Sequence, residues 1–415
     1  MAKNKMNIPQ IRFKGFEGEW GKKPFSKIYS YVRNGFVGTA TPHYVEQGVP
    51  YIQGRNIKCG KLLDNGYVNI SEEFHKSKPN SKVLVNDLLI VQSGHVGDTA
   101  VVCSKFEGAN CHAILVATPA NQLECNSYFY NSYFLSDSGK AKIQIITTGN
   151  TVKHILSSDL KTLIVPKPTY HEQTQIGDFF QKIDQVIELQ QKALDTARAY
   201  KQSMLQKMFP QKGEKVPRVR FAGFSGDWNE LKLAKLVSFS KGKGYSKSSL
   251  VNEGNPIILY GSLYTDYRSN IDNVTTFAIP LENSIYSEGN EIILPSSGES
   301  DVDIARASAV TQKGVLLGGD LNVLKPKKDF NNIFMALNLT YSSVNSSLVK
   351  RAQGQVVVHL YNSDIQNLKV SLPMLEEQTK ISDFFQKLDQ QIEQQAQKLA
   401  TYQQLKKAML QRMFV

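Results

Sequence analysis

The stretch EQTQIGDFFQKID at Glu172–Asp184 recurs as EQTKISDFFQKLD at Glu377–Asp389, and this repeat decides the organisation of the chain. Ten of the thirteen aligned residues are identical, and the second copy lies 205 residues after the first. A self-match at a fixed offset is typical of an internal duplication. Each copy opens a helical pattern that closes alike, with MLQKMF at Met204–Phe209 and MLQRMF at Met409–Phe414. Each half of the chain is therefore predicted to end in one long helix.

Apolar residues recur at helical spacing along both segments, in a stripe that is wider than a two-position seam. Thr169 and Glu172 form a predicted capping box that starts the first helix after Pro168. At 1.5 Å per residue, each helix would be roughly 55 Å long. The residues that we expect to mediate helix pairing or partner docking are Ile176, Phe180, Ile183, Ile187, Ile381, Phe385, Leu388 and Ile392.

Two helices of this length have two ways to bury their apolar stripes. Each helix could pack back on its own domain, or the two could pack against each other in an antiparallel pair. The second arrangement is favoured, because a helix of roughly 55 Å is longer than a domain of this size. We therefore predict an antiparallel coiled coil with a pseudo-twofold axis, whose outer apolar surface docks partner subunits.

A second motif is also duplicated, at the start of each half. PQIRFKGFEGEW at Pro9–Trp20 recurs as PRVRFAGFSGDW at Pro217–Trp228. Its glycines allow a tight turn, and Phe13, Phe16 and Trp20 can anchor that turn on a domain surface. We interpret this motif as a packing clasp and not as a binding site.

The sequence between these motifs predicts a mixed α/β domain in each half, and the two middles barely match each other. The predicted strands are Val49–Gln53, Val83–Val91, Ala113–Ala117, Leu160–Pro168, Pro256–Tyr260, Glu291–Leu294, Val315–Leu317 and Leu321–Leu324, and a short helix is predicted at Tyr128–Leu135. The fold class is thus mixed α+β, with two tandem, pseudo-twofold-related α/β domains that are each followed by a long helix. A common frame with divergent middles is expected of two domains that recognise different things.

Composition points to a polyanionic partner. The 415-residue chain has a formal net charge of +12, which favours nucleic acid as a partner and is also compatible with a generally basic protein. The four cysteines lack a CxxC pair, so a zinc site at Cys111-His112 is disfavoured. Their sparse use, with no membrane-length apolar run and no leader, predicts a cytoplasmic protein.

The sequence lacks the common catalytic signatures: it has no phosphate-binding loop, zinc-protease helix, nucleophile elbow or Asn/Asp-Pro-Pro-aromatic methyltransferase motif. What remains is binding chemistry in loops after predicted strands. Arginine suits guanine, asparagine and glutamine suit adenine, and lysines with free backbone N–H groups suit phosphates. The predicted DNA-binding residues are Arg33, Gln53, Arg55, Asn56, Ser93, His95, Lys153, Lys241, Lys243, Tyr245, Lys247, Tyr260 and Ser297. His154 and His359 occupy equivalent positions and are expected to make a structural hydrogen bond.

The doubled PxxRFxGFxGxW motif, the doubled EQxxIxxFFxxxD helices with their MLQxMF ends, and the divergent middles together resemble the specificity subunit of type I restriction–modification systems. The resemblance covers essentially the whole chain. It implies a first target recognition domain at 1–168, a central spacer helix at 169–209, a linker at 210–216, a second recognition domain at 217–373 and a C-terminal spacer helix at 374–415.

The resemblance further implies a subunit without catalysis that reads a bipartite, asymmetric double-stranded DNA target. The helices would set the gap and dock two methyltransferase subunits, which bind S-adenosylmethionine and methylate adenine. Two restriction–translocase subunits that use ATP and Mg²⁺ would join them, while this chain itself would bind no cofactor, no metal and no membrane. The alternatives are a DNA-binding scaffold or regulator without a methyltransferase, and a DNA-modifying enzyme with an unrecognised site.

Overall fold

The computed structural model describes residues 7–151, 153–298, 300–352 and 358–415. The chain divides into two compact units, the first comprising 1–191 with 397–415 and the second 192–396. The division cuts each of the two long helices, so each unit contains part of both. The segmentation predicted above, in contrast, assigned each helix a stretch of its own.

The first unit contains the strands and helices of the first half. Its strands are β1 (Gly21–Pro24), β2 (Tyr31–Asn34), β3 (Tyr44–Val45), β4 (Val49–Gln53), β5 (Ile57–Lys58), β6 (Lys61–Leu62), β7 (Val68–Ile70), β8 (Leu88–Val91), β9 (Thr99–Val101), β10 (Asn110–His112), β11 (Ile114–Thr118), β12 (Thr147–Thr148), β13 (His154–Ile155) and β14 (Ile164–Lys167). Its helices are α1 (Glu72–Ser77), α2 (Ser127–Leu135), α3 (Asp137–Ile145) and α4 (Ser157–Thr162), followed by the long α5 (Tyr170–Lys207) that continues into the second unit.

The second unit is built in the same order. Its strands are β15 (Asn229–Lys232), β16 (Val237–Lys241), β17 (Leu250–Val251), β18 (Asn255–Ile258), β19 (Asn270–Ile271), β20 (Phe277–Ala278), β21 (Glu291–Pro295), β22 (Ser297–Gly298), β23 (Ser308–Val310), β24 (Leu316–Leu317), β25 (Leu321–Pro326), β26 (Val358–His359) and β27 (Lys369–Leu372). Its helices are α6 (Ser262–Thr265), α7 (Asp301–Ile304), α8 (Asn332–Tyr341), α9 (Ser343–Val349), α10 (Asn362–Ile365) and the long α11 (Leu375–Arg412), which ends in the first unit.

The two units share the strand order of two sheets, apart from one additional edge strand, β19, in the second unit, although their middle sequences differ. One sheet has the order β2-β11-β8-β9 in the first unit and β16-β25-β21-β23-β19 in the second. A second sheet has the order β10-β4-β7-β3 or β24-β18-β20-β17, with one parallel pair in each. Strands β1 and β14, or β15 and β27, close each domain as an antiparallel pair next to the long helix. The predicted common frame is therefore present in three dimensions.

Most predicted strands are present, with ends that shift by a few residues, but two predictions were partly wrong. Val83–Val91 is a strand only from Leu88, because Asn86 adopts a positive φ of 69° and Asp87 N–H closes a turn on the Leu84 carbonyl. Leu160–Pro168 begins within helix α4 and becomes a strand only at Ile164. Both errors arose where an apolar run continues through a change of backbone conformation.

Helices α5 and α11 run antiparallel within each unit, as predicted. In the first unit Lys406 Nζ donates to Asp184 Oδ1 at 2.6 Å, and the Phe180 ring stacks on Phe414 with centroids 5.8 Å apart. The equivalent contacts in the second unit pair Lys201 with Asp389, and Phe209 with Phe385 at 6.1 Å. In both units, residues later in α5 contact residues earlier in α11, as in an antiparallel pair.

The helices also enter the domain cores, so the two packing alternatives both occur. Ile176 and Phe180 belong to the core of the first domain together with Trp20, Phe129 and Phe414. The equivalent residues of the second helix, Ile381, Phe385 and Leu388, lie in the core of the second domain with Phe209 and Trp228. The other residues predicted for pairing or docking are Ile183, which is buried, and Ile187 and Ile392, which are half-buried.

The duplicated N-terminal motif is a clasp, as predicted, but its central residue was missed. Arg12 donates through Nε and Nη2 to both carboxylate oxygens of Glu172, at 2.6 and 2.8 Å, and through Nη1 to the Gly18 carbonyl at 2.6 Å. The hydrogen bond to Glu172 raises the pKa of Arg12. Only half of the predicted capping box forms, because Thr169 Oγ1 accepts from Glu172 N–H while the Glu172 carboxylate is engaged by Arg12.

The second unit repeats this clasp. Arg220 binds both oxygens of Glu377 at 2.7 Å and the Gly226 carbonyl at 2.7 Å. The glutamates that open the two repeats of the long helix are thus the buried anchors of the two clasps, with side chains that are 1% and 0% exposed. The two duplicated motifs of the sequence are therefore joined to each other by an ion pair.

Candidate nucleic-acid interface

The loop after β8 and the hairpin β12–β13 meet at one end of the first unit. Ser93 forms an antiparallel bridge with His154, and Thr148 Oγ1 lies 3.1 Å from His154 Nε2. His95 and Lys153 are exposed there and line an open cleft of about 650 Å³. Lys140 and Gln144 of α3 line the same cleft and were not identified from sequence. The structure thus brings Ser93, His95 and Lys153 together.

The turn Gln53–Asn56 lies beside this cluster. A Cβ atom on Gly54 would come within 3.0 Å of Val91 and 3.8 Å of the Ser93 carbonyl, which places the turn directly against the loop after β8. Gln53 donates through Nε2 to the Tyr44 hydroxyl at 3.0 Å, while Arg55 is exposed. Of these side chains, Arg55 is the one that is presented to solvent.

Asn56 belongs to the fold of that turn. Its side chain is 1% exposed, accepts from Gln53 N–H at 2.9 Å and donates to the Gly66 carbonyl at 3.0 Å. A buried amide whose oxygen and nitrogen are both bonded to backbone has no edge left for a base. We therefore remove Asn56 from the candidate interface.

Arg33 is also committed to the fold. Its Nη2 donates to Asp87 Oδ2 at 3.0 Å and to the Lys82 carbonyl at 2.7 Å, while Nη1 donates to Thr118 Oγ1 and Nε to the Asn80 carbonyl. The side chains of Arg33 and Asp87 are 9% and 0% exposed. Breaking this partly buried pair to contact DNA would leave the carboxylate unpaired at a cost of about 3–5 kcal/mol. Arg33 is therefore removed as well.

In the second unit, Ser297 and Lys241 are linked through His359 and Tyr361. Ser297 pairs with His359 across β22 and β26, and its Oγ lies 3.2 Å from His359 Nδ1 and 3.3 Å from Asp320 Oδ1. The Tyr361 ring stacks on His359 with an interplanar angle of 20°, and Lys241 Nζ lies 5.6 Å from the centre of the Tyr361 ring. Tyr361 was not identified from sequence, because a lone tyrosine carries no motif.

The basic loop that begins at Lys241 is fixed through its backbone. Gly242 N–H donates to the Leu321 carbonyl at 2.9 Å and Lys243 N–H to the Leu317 carbonyl at 3.1 Å. The Lys243 N–H group is therefore not available to a phosphate, contrary to our prediction, whereas its charged side chain reaches solvent. Lys243 and Lys247 are exposed.

The two predicted tyrosines of this unit are held by their own surroundings. The Tyr245 hydroxyl accepts from Leu281 N–H at 2.9 Å and lies 2.6 Å from Ser284 Oγ, so it braces the basic loop. Tyr260 is half-buried and packs on Tyr264 with ring centroids 6.1 Å apart.

Comparison with known protein families shows the family to which the chain belongs. The family model described as the type I restriction modification DNA specificity domain matches twice, at residues 20–197 and 225–402. The chain belongs to this family. Its function as a family member is that of a type I restriction–modification specificity subunit, which recognises a DNA target. The two matched ranges each contain one recognition domain and the larger part of the long helix that follows it.

Individual relatives of this specificity subunit match along most of their length. The chain is 22% identical over 394 residues to the putative type I restriction enzyme MjaX specificity subunit of Methanocaldococcus jannaschii, covering 90% of this chain and 88% of the relative. It is 20% identical over 369 residues to the MjaVIII specificity subunit of the same organism, covering 83% and 85%.

Two solved structures share the fold. The S subunit of a type I restriction–modification system from M. genitalium aligns with a TM-score of 0.62 at 16% identity, covering 98% of this chain and 99% of that one. A chain from work on complex assembly and conformational transition of the type I R-M system aligns with a TM-score of 0.54 at 16% identity, covering 94% and 96%.

Two further observations concern the described residues. None of the helices they form has the length and apolar character needed to cross a membrane. Within the same residues, no cluster of three or more histidine, cysteine, aspartate or glutamate side chains is placed to hold a metal ion.

Proposed function

We propose that this specificity subunit reads a split, asymmetric double-stranded DNA sequence, with one half-site for each unit. The observation that carries the proposal is that both units share the core of their sheet topology and the same clasp, while the loops at the ends of corresponding strands carry different side chains. Phosphate contacts by exposed lysines supply affinity, and base contacts supply specificity.

The two long helices would fix the distance between the half-sites. Each helix is 38 residues long and has residues in both units. A helix rises 1.5 Å per residue, so a change in its length changes that distance directly. Inserting one helical turn near residue 195 of α5, with a matching turn in α11, should lengthen the unread gap in the recognised sequence. An unchanged gap would contradict the role of the helices as a spacer.

Catalysis would be supplied by partners. We propose that two methyltransferase subunits, which bind S-adenosylmethionine and methylate adenine, dock on the helices, and that two restriction–translocase subunits that use ATP and Mg²⁺ complete the assembly. The chain itself would be non-catalytic and would bind no cofactor. Equilibrium dialysis with labelled S-adenosylmethionine tests this directly, because saturable binding by the isolated chain would favour an enzymatic role.

The decisive experiment is a methylation map of genomic DNA from cells that express a cognate methyltransferase subunit, with and without this chain. We expect a bipartite motif that is methylated on adenine only when the chain is present. Absence of chain-dependent methylation, with both proteins folded and co-purifying, would contradict the proposal. Failure of the two proteins to co-purify would favour a DNA-binding scaffold instead.

A further inference from the structure

The two units carry the same backbone frame at the sheet end where the candidate residues cluster. Four backbone hydrogen bonds, two in each unit, connect equivalent positions: Gln92 N–H to Ala113 O, Ile155 N–H to Gln92 O, Ser296 N–H to Asp320 O and Leu360 N–H to Ser296 O. Ala113 and Asp320 both adopt a positive φ, of 50° and 59°. The two sheet ends therefore correspond residue by residue.

The equivalent side chains at this end differ in chemistry. Strand registers pair Asn34 with Leu115 in the first unit and Lys241 with Asn322 in the second, so Asn34 and Lys241 occupy the same position, followed in each case by a glycine. Leu156 and Tyr361 also correspond, because each is the residue immediately before a short helix, α4 or α10.

Both members of each pair face solvent. Asn34 and Lys241 are exposed. Leu156 is 44% exposed and Tyr361 is 45% exposed, which is a large accessible fraction for side chains of this kind. Residues that serve the fold at this end, such as His154 and His359, are the same in both units. The frame is therefore kept while the exposed side chains differ.

The second unit holds its exposed pair in a defined orientation. Tyr361 stacks on His359, which is itself held by Ser297, and Lys241 lies over the Tyr361 ring. The Tyr361 backbone is fixed by N–H donation to Asp364 Oδ2 at 3.2 Å. A side chain that is oriented before binding loses less conformational entropy when it contacts a ligand.

We propose that Lys241 and Tyr361 are specificity-determining DNA contacts of the second unit, and that Asn34 and Leu156 take the same places in the first. The proposal rests on the proposed function and deepens it. Lysine donates to the O6 and N7 atoms of guanine, whereas asparagine bonds the N6 and N7 atoms of adenine. Leucine offers only an apolar contact, suited to the thymine methyl group, whereas tyrosine adds a hydroxyl group. The two units would thus read different bases from one backbone frame.

The test gives Lys241 and Tyr361, in the full chain, the residue types found at the equivalent positions of the first unit. The variant Lys241→Asn with Tyr361→Leu is co-expressed with the methyltransferase subunit, and genomic methylation is mapped. We expect discrimination at one or two base pairs of one half-site to change by roughly tenfold or more, because a good base contact is worth about that factor or more. The other half-site and the gap should stay as in the wild type. The reciprocal variant, Asn34→Lys with Leu156→Tyr, should change the other half-site only.

Lys328→Asn is the charge-matched control. Lys328 is exposed and follows the end of β25 opposite to the end that pairs with Lys241, so its loss should leave both half-sites unchanged. If the wild-type motif is confirmed and both swap variants direct methylation of that same motif, the inference is overturned. A uniform loss of methylation at all sequences, with no change of preferred base, would also overturn it, because that result indicates phosphate contacts.

Two further results keep the test decisive. If the wild-type chain directs no bipartite methylation, the proposed function fails before the inference is reached. If a double variant is not folded, judged by its circular dichroism, the single variant Lys241→Asn decides in its place. That variant removes the charge while Tyr361 and His359 themselves are kept, and an unchanged half-site would then count against the inference.

Discussion

The clasp between Arg12 and Glu172 gives the sharpest test of what holds each unit together. The Arg12→Ala substitution would leave the Glu172 carboxylate, which is 1% exposed, without its two charge-assisted hydrogen bonds. Removing one partner of a buried ion pair costs about 3–5 kcal/mol. Because domains have total stabilities of about 5–15 kcal/mol, this loss is a large fraction of the whole.

The assay is urea unfolding monitored through tryptophan fluorescence. The chain has two tryptophans, Trp20 in the first unit and Trp228 in the second, so each reports on its own unit. Substituting one of them by phenylalanine isolates the signal of the other. We expect Arg12→Ala to lower the stability reported by Trp20 by about 3–5 kcal/mol.

Two arginines of the second half serve as matched variants. Arg220→Ala should lower the stability reported by Trp228 by a similar amount, because Glu377 is 0% exposed in the same arrangement. Arg218→Ala breaks a solvent-exposed pair with Glu214 and should change the stability little, because exposed ion pairs are screened by water. If Arg12→Ala costs no more than Arg218→Ala, the reasoning about the buried clasp is wrong.

Three further predictions concern packing and reactivity. Phe180→Asp should detach the helix pair from the first core, since it places a charge at a site that is 2% exposed; an unchanged urea midpoint would contradict this. Gly242→Ala should destabilise the second unit by about 1–3 kcal/mol, because the new Cβ would lie 1.9 Å from the Gly318 carbonyl oxygen. Gly261→Ala should be tolerated in the same assay, because its nearest neighbour, the Tyr264 hydroxyl, would be 3.5 Å from the new Cβ. At pH 8 a maleimide should label the exposed Cys59 and spare the buried Cys111. Burial raises the pKa of the Cys111 thiol to about 12, so its reactive thiolate forms only as the pH approaches that value. Equal labelling of both cysteines in the folded chain, measured by mass spectrometry, would refute this.

Local patterns in the sequence were sufficient to predict the framework that the two domains share. The duplicated segments, the helical spacing of apolar residues and most of the strands were predicted correctly, because periodicity and repetition are properties of neighbouring residues. The antiparallel pairing of α5 and α11 also followed, since two long amphipathic helices in one chain have few ways to bury their stripes.

The sequence could not separate residues that serve the fold from residues that face solvent. Arg33 and Arg55 are both arginines, a residue type that commonly contacts DNA, yet Arg33 is bound to Asp87 and Arg55 is exposed. Lys241 was predicted, but the tyrosine that it lies over is 120 residues away in sequence and was missed.

The sequence by itself determined the duplication, the class of fold and the family of this protein, because those depend on short segments that repeat or alternate. The tertiary structure decided which charged and polar groups are used internally. Arg12 meets Glu172 across 160 residues, and Arg220 meets Glu377 across 157. Such pairings arise when distant elements pack together, so no local pattern encodes them, and only the folded chain shows which charged side chains are engaged inside it.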